Sequence, residues 1–215
     1  ARDDFRDALR RDPDHGLARA HLAECLLNTG DPDEAAGHFL QLLEREPNDP
    51  TALLGLARCR RRQARPDEAQ RLLDRLLAGD AVPVAALVER AGLCQERGAY
   101  REAVKWYREA LKRDSSDPDA CYALARCLRA QGRQKEAQTY EARAAEIEGD
   151  LHTLAQLTER MLTAPGDPEL PYRAGMICLR NGQKGEARRW FRNALQRAPG
   201  HEGARRGLEQ LSREQ

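Results

Sequence analysis

Residues 16–49 read GLARAHLAECLLNTGDPDEAAGHFLQLLEREPND, and features of this stretch recur along the chain at a fixed interval. Alanine stands at positions 1, 35, 69, 103 and 137, an unbroken spacing of 34 residues. A fixed period of this length indicates one supersecondary unit copied in series, in which each copy stacks on its neighbours to bury its apolar face. We therefore expect the function of the chain to lie on its surface.

Alignment on this period places a partial repeat at 1–15 and four frames at 16–49, 50–83, 84–117 and 118–150. Position 8 of each frame is small, which lets paired helices approach closely, and positions 20, 24 and 27 share one helical face. Position 15 is glycine or alanine followed by a polar group, which predicts a helix end and a new helix start. The residues at positions 8 and 15 are Ala23, Ala57, Ala91, Ala125, Gly30, Ala64, Gly98 and Gly132.

These positions resemble the tetratricopeptide repeat, with its small residue 8, glycine 15, alanine 20, aromatic 24, alanine 27 and proline 32. The segment 168–201 fits the same phase through Gly175, Gly182, Ala187, Phe191, Ala194 and Pro199. Departures from the pattern stand at Ala81, Arg90, Ser115, Glu141 and Gly149. The resemblance implies an all-α fold, an α-α superhelix built from antiparallel helix pairs.

One interruption breaks the period. Ala137 is followed by Ala187, a step of 50 residues and 16 more than one repeat. The surplus maps to 151–167, where apolar residues recur at helical spacing at Leu151, Leu154, Leu157, Met161 and Leu162. We expect an irregular extra helix near 151–164, which would reverse all later helices and bend or break the superhelix if short loops joined it. The alternative is a degenerate repeat whose second helix merges with the next frame.

The two ends of the chain lead to separate expectations. Residue 1 is position 20 of a frame, so we expect the sequence to begin inside a repeat of a longer chain. Residues 202–215 are mostly polar, with Leu208 and Leu211 as the strong apolar residues, and this pattern predicts a C-terminal capping helix.

Composition and the absence of catalytic motifs argue against several classes of function. The net charge of +1 argues against nucleic acid as a partner, and no apolar run is long enough for a membrane span. We expect no enzymatic activity and no cofactor, because the chain lacks a phosphate-binding loop, a nucleophile elbow and a metalloprotease histidine pair. The six cysteines occupy packing positions, which favours a reducing, cytoplasmic setting. His21 and Cys25 have a metal-ligand spacing, but no second pair accompanies them, so we expect no metal.

The resemblance implies that first helices line an inner groove through positions 2, 5, 9, 12 and 13 of each frame. Arg58 and Arg61, like Arg126 and Arg129, are three residues apart on one helical face and could hold carboxylates of an extended peptide. The alternative is that these arginines pair with neighbouring acids or are simply solvated. The candidate groove residues are Asn28, Arg58, Arg61, Arg62, Tyr122, Arg126, Arg129, Tyr172 and Met176.

The sequence thus predicts a protein-interaction scaffold that binds an extended, acidic segment of a partner protein in its groove. The two-carboxylate clamp of some co-chaperone members is absent, because neither three-repeat window carries its lysine and asparagine residues. Two alternatives remain open. The chain could be a regulatory or substrate-recruiting arm of a larger enzyme, or a module that self-associates through the helix near 151–164.

Overall fold

A computed structural model of the protein describes residues 2–79 and 82–213. Within these ranges the chain forms twelve α-helices and no strand, which confirms the predicted all-α fold. The helices fall into two compact units, Ala1–Ala110 and Leu111–Gln215. The departure at Ala81 lies outside the described residues.

The first unit is a row of helix pairs joined by short turns. Each of its first five helices packs on the next, and first helices also contact each other, α2 with α4 and α4 with α6. These first helices therefore present a shared face. The helices are α1 (Arg2–Arg11), α2 (Gly16–Thr29), α3 (Pro32–Arg45), α4 (Pro50–Arg62), α5 (Pro66–Leu77), α6 (Val84–Glu96) and α7 (Tyr100–Arg113), whose last turn falls in the second unit.

The core of the first unit pairs a large residue with a small one across neighbouring helices. The ring of Phe39 on α3 is fully buried and fills the space beside Gly55 on α4. A Cβ atom at Gly55 would lie 2.2 Å from the Cζ atom of Phe39, so only glycine allows this approach. The alanines at position 20 of the repeats, Ala35 on α3 and Ala69 on α5, are also fully buried. The predicted periodic face is therefore the core.

The turn between paired helices depends on the residue at position 15. Gly30, Gly98, Gly132 and Gly182 all have φ between 73° and 93°, in the left-handed region. These values confirm the predicted helix ends, because glycine adopts this conformation without a steric penalty. Ala64 occupies the same position with a φ of 57°, where its Cβ atom costs roughly 1 kcal/mol.

The second unit contains two complete helix pairs and a terminal helix. Helix α9 packs on both α8 and α10, while α11 packs on both α10 and α12. Phe191 on α11 is buried and repeats the large-to-small packing, because it faces Gly175 on α10 and Gly207 on α12. The helices are α8 (Pro118–Ala130), α9 (Gln134–Thr163), α10 (Glu169–Arg180), α11 (Lys184–Arg197) and α12 (Glu202–Arg213).

Helix α9 absorbs the whole surplus of the sequence. It has 30 residues where α3, α7 and α11 each have 14, so it is longer by the same 16 residues that interrupt the period. The extra segment is helical, as predicted, but it continues the preceding helix instead of following a loop, and the expected boundary at 150/151 lies inside α9. The structure thus matches the alternative of merged helices, and no inserted helix reverses those that follow.

Helix α9 continues past residue 150 because the residues that end a second helix and cap the next first helix in other frames are missing there. At position 34 of four other frames the side chain caps the following helix by accepting a hydrogen bond from its backbone N–H groups; these residues are His15, Asp49, Asp117 and His201. The fifth, Pro83, makes no such hydrogen bond, but a proline cannot continue a preceding helix. Leu151 stands at that position here and has no acceptor, while Gly149 replaces the proline that follows α3 and α11. Because nothing ends the helix, its hydrogen-bond ladder continues to Thr163.

The extension of α9 supplies a packing surface for α10. Leu157 is buried with Leu170, Ala174 and Ile177 of α10. About two turns before Leu157, the carboxylate of Asp150 is buried and accepts hydrogen bonds from Arg180 Nε at 3.1 Å and Asn181 Nδ2 at 2.9 Å. Polar and apolar contacts together fix α10 against the second half of α9.

Candidate functional site

The shared face of α2, α4 and α6 contains a cavity of about 440 Å³ in the first unit. Its charged wall comes from the last turns of α4, where arginine occupies positions 58, 60, 61 and 62. Four of the nine predicted groove residues meet there. The cavity is lined by Glu24, Leu27, Asn28, Arg58, Arg61, Arg62 and Glu89.

Two of these arginines are held by one carboxylate of the neighbouring repeat. Arg58 Nε donates to Glu89 Oε1 at 2.7 Å, and Arg61 Nη1 donates to Glu89 Oε2. Arg61 Nε also lies 3.6 Å from Glu96 Oε1. The Glu89 side chain is only 13% exposed, whereas that of Arg58 is 38% exposed. The arginines are therefore both paired and accessible.

Arg62 lies on the opposite side of the same cavity. Its Nη1 group donates to the backbone carbonyl of Leu27, next to Asn28 on α2. This hydrogen bond joins the end of α4 to the end of α2 and uses one of the five N–H donors of the guanidinium. The lining of the cavity thus comes from three consecutive first helices, although all three of its arginines are on α4.

The cavity continues along the groove between α2 and α4. A smaller cavity of about 210 Å³ shares Glu24, Leu27 and Arg58 with it and adds apolar walls from Phe39 and Leu54. A third cavity of about 610 Å³ near the start of α2 also includes Glu24. Because Glu24 lines all three spaces, they adjoin one another along α2, and we refer to them together as the channel.

The second set of predicted residues lies on α8 in the second unit. The Tyr122 hydroxyl donates to Glu148 Oε2 at 3.0 Å, and this hydrogen bond raises the pKa of Tyr122. Arg129 donates to Glu141, the acid that replaces the usual aromatic residue. Arg126 is exposed. Two of these three side chains are therefore engaged with α9, while Arg126 and the paired Arg129 are both exposed cations.

The third set lies on α10. Tyr172 is half-buried between the rings of Phe191 and His201, with centroid separations of 6.1 Å and 4.7 Å. Met176 is 44% exposed. Tyr172 thus contributes mainly to the packing of α10 on α11 and α12, while Met176 presents an apolar surface. The predicted residues fall at three separate places, one in the first unit and two in the second.

Sequence reasoning missed the acids that organise the arginines. Glu89 was not among the predicted groove residues, although it is the acidic member of a position occupied elsewhere by His21, Gly55, Ala123 and Arg173. That unusual charge, one repeat after an arginine cluster, is the signal that could have found it. The alternative that arginines pair with neighbouring acids holds for Arg58, Arg61 and Arg129.

Other candidate chemistries find little support in the described part of the chain. No group of three metal-ligating side chains occurs in residues 2–79 and 82–213, and no helix there is long and apolar enough to cross a membrane. Burial raises the pKa of the Cys59 thiol to about 11 and also raises the pKa values of Cys94, Cys121 and Cys178. These thiols are protonated at neutral pH and act as small core residues.

Comparison with known proteins agrees with this architecture. Three solved structures are similar in fold: YrrB, a TPR protein with an unusual peptide-binding site; MamA; and PilW, a type IV pilus biogenesis factor. YrrB is 17% identical, with 97% of this chain and 100% of that chain covered and a TM-score of 0.54. MamA is 19% identical (82% and 94% covered, TM-score 0.53), and PilW is 20% identical (95% and 87% covered, TM-score 0.62). Identities this low show a common fold.

Comparison of the sequence with protein-family models identifies the family of the chain. A search of curated protein sequences finds no match. Models of the tetratricopeptide repeat match residues 1–50, 29–91, 95–157 and 169–201, which together cover most of the chain. The matched ranges fall in both units. The chain belongs to the tetratricopeptide repeat family, whose helical repeats serve as scaffolds for protein–protein interaction.

Proposed function

We propose that this protein binds an extended, acidic segment of a partner protein in the channel between α2, α4 and α6. The observation that carries the proposal is the wall of Arg58, Arg61 and Arg62, which lines a cavity of about 440 Å³ on the shared face of the first helices. Guanidinium groups recognise carboxylates through paired hydrogen bonds, and both Nη groups of Arg58 keep their donors because its hydrogen bond to Glu89 uses Nε.

The shape of the channel supports an extended ligand. The arginine wall adjoins a smaller cavity whose accessible apolar surface includes the half-buried Leu54, so a peptide could place an acidic side chain beside an apolar one. Chain-like ligands suit such grooves because main-chain and side-chain contacts are distributed along their length. YrrB, which shares the fold, is itself a TPR protein with a peptide-binding site.

The test is a pull-down followed by peptide mapping. Wild-type protein and an Arg58→Glu variant would be compared for captured proteins, and overlapping peptides of each captured protein would then be measured for binding. We expect an acidic peptide whose binding is lost in Arg58→Glu and weakened by salt. Arg71→Glu, on the exposed surface of α5, is the matched charge-reversal control and should retain binding.

Arg126→Glu separates the two arginine sites. If the acidic peptide binds in the first unit, this variant on α8 keeps full affinity. Loss of binding in Arg126→Glu with retention in Arg58→Glu would move the site to the second unit and contradict the proposal. Thermal melting of each variant must match wild type, so that a lost interaction is not mistaken for lost fold.

Self-association is a second candidate, favoured by exposed leucines on the α9 extension. Leu151 and Leu162 are 48% and 81% exposed. They are eleven residues apart, about three helical turns, and therefore lie on one face. A homotypic contact through this face would give a molecular mass by light scattering that rises with concentration and returns to the monomer value in Leu151→Glu/Leu162→Glu. A monomer at all concentrations would remove this candidate.

A further inference from the structure

The arginine wall of the first unit already holds a carboxylate, that of Glu89. Its two oxygens accept hydrogen bonds from Arg58 and Arg61, in the arrangement that a bound carboxylate ligand would adopt. Glu89 comes from α6, the first helix of the following repeat, and its side chain is 13% exposed at the floor of the cavity. The protein therefore supplies its own anion to the site that we propose for a partner's anion.

The local backbone is adapted to this arrangement. Gly92 lies one turn after Glu89 on α6, and a Cβ atom there would stand 3.1 Å from Arg61 Nη1. Glycine weakens the interior of a helix relative to alanine. Its presence at this point lets the Arg61 guanidinium lie against α6 and reach Glu89. The ion pair is consequently a built contact of the groove, unlike the more exposed pair of Arg61 with Glu96.

We propose that Glu89 is a specificity-determining residue that weakens the binding of acidic segments by competing for Arg58 and Arg61. This inference rests on the proposed function. An incoming carboxylate can approach Arg58 and Arg61, which are already paired with Glu89. If it instead binds the Nη groups of Arg58 and the guanidinium of Arg62, the negative charge of Glu89 repels it. Only segments with enough negative charge, or with good apolar contacts along the channel, then bind well.

A purely organising role for Glu89 predicts the opposite sign. If the carboxylate served only to hold Arg58 and Arg61 in place, its neutralisation would loosen both guanidiniums and weaken binding. If it competes, its neutralisation strengthens binding. The direction of the change therefore distinguishes the two roles without knowledge of the natural partner.

The experiment uses a synthetic library of random peptides displayed on phage as the probe. Peptides selected by wild-type protein or by Glu89→Gln would be synthesised with acidic residues intact and with those residues replaced by their amides. Dissociation constants would be measured by fluorescence anisotropy at low and high salt. For acidic peptides we expect a dissociation constant about three- to tenfold lower for Glu89→Gln than for wild type, with the larger gain at low salt. The amide counterparts should show no such gain.

Two further variants test whether the effect is specific to the Glu89 carboxylate. Glu96→Gln removes a charge of the same sign near Arg61 but at a side chain that is 56% exposed, and it should change affinity by less than about twofold. Glu89→Ala removes the carboxylate without leaving an amide and should also bind acidic peptides more tightly. Matching melting curves would show that all variants are folded.

The outcomes separate this inference from the proposed function. Acidic peptides that bind wild type but bind Glu89→Gln and Glu89→Ala equally or more weakly would overturn the competitor role and leave the groove function intact. Selection of no acidic peptide by any of the proteins would overturn the groove function and the inference with it. Equal gains in Glu89→Gln and Glu96→Gln would also overturn it, because the effect would then be one of overall charge.

Discussion

The junction between α3 and α4 in the first unit differs from the junction between α9 and α10 in the second. At the first, the helix ends before Pro47, Asp49 caps its successor, and Phe39 packs into the space above Gly55. At the second, positions 149 and 151 carry neither a proline nor a capping side chain, so the helix runs on for 16 residues to Thr163 before Pro165 and Pro168, and the next first helix packs on that extension. The same repeat therefore propagates by two different contacts.

This difference shows how a repeat array accommodates an insertion. Sixteen residues of helix are about 24 Å long. Helix α10 has only 12 residues, so the extension of α9 is long enough to be its neighbour along its whole length. The extension also keeps the number of helices unchanged, so the alternation of first and second helices continues. The irregular junction buries the polar side chain of Asp150, whereas the regular junction buries Phe39 beside Gly55.

Removal of the large residue at the regular junction should have the largest effect. Phe39→Ala leaves a cavity above Gly55, which has no side chain to fill it, so we expect the free energy of unfolding to fall by about 3–5 kcal/mol. Urea unfolding followed by circular dichroism at 222 nm measures the change. Leu40→Ala, on the exposed side of the same helix, is the control and should cost less than about 1 kcal/mol. Similar losses for both variants would show that the pair does not hold the junction.

Restoring the missing stop should break the irregular junction. Gly149→Pro places proline inside α9, where it removes a backbone hydrogen bond, and it should destabilise the second unit by about 3 kcal/mol. We expect a loss of helical circular dichroism together with a lower melting temperature. In contrast, Gly149→Ala should raise stability by about 0.5–1 kcal/mol, since a Cβ atom there meets nothing within 4 Å. Destabilisation by both substitutions would contradict a regular helix at this point.

The buried acid of the irregular junction should matter more than an exposed one. Asp150→Ala leaves Arg180 and Asn181 without their acceptor, and we expect a loss of about 2–3 kcal/mol, discounted because the Arg180 side chain is 53% exposed. Asp74→Ala removes the half-exposed partner of Arg90 in the first unit and should cost about 1 kcal/mol or less. Equal losses in chemical denaturation would mean that burial does not distinguish the two pairs.

The smallest expected effect comes from exchanging the turn residues of the two units. Ala64→Gly relieves the positive φ of 57° and should stabilise the first unit by about 0.5–1 kcal/mol. The reverse substitution, Gly132→Ala at a φ of 75°, should destabilise the second unit by about 1 kcal/mol. Differential scanning calorimetry of the two variants checks the signs. Stabilisation by Gly132→Ala would show that the unfolded-chain entropy outweighs the turn geometry.

Much of the fold follows from sequence periodicity because each repeat depends on contacts with its neighbours in the chain. Small, large and glycine positions at fixed spacing identified the buried faces and the turns, and the family matches and the structure agree. The helical character of 151–163 was equally clear from its apolar spacing. The continuity of α9 was harder to predict, since it depends on the combined absence of a cap and a stop at Leu151 and Gly149.

The candidate site was predictable only in part. Helical spacing placed Arg58 and Arg61 on one face, but the acid that pairs with them lies 28 to 31 residues away on another helix. Tyr172 has a groove position in the repeat pattern, yet it packs against Phe191 and His201 because α12 lies nearby. Pairings of this kind depend on which side chains two packed helices bring together.

The sequence by itself determined the repeat, its phase, the helical pairs and the location of the interruption, because these depend on local propensity and on periodic burial. The tertiary structure alone decided that the interruption lengthens α9, that Asp150 is buried against Arg180, and that Glu89 occupies the arginine wall. The two pairings require side chains from different helices at hydrogen-bond distance, and such distances are set by the packing of helices and not by spacing along one chain. The longer α9 is seen only in the structure because the stop and cap missing at Gly149 and Leu151 allow a continuous helix without requiring it.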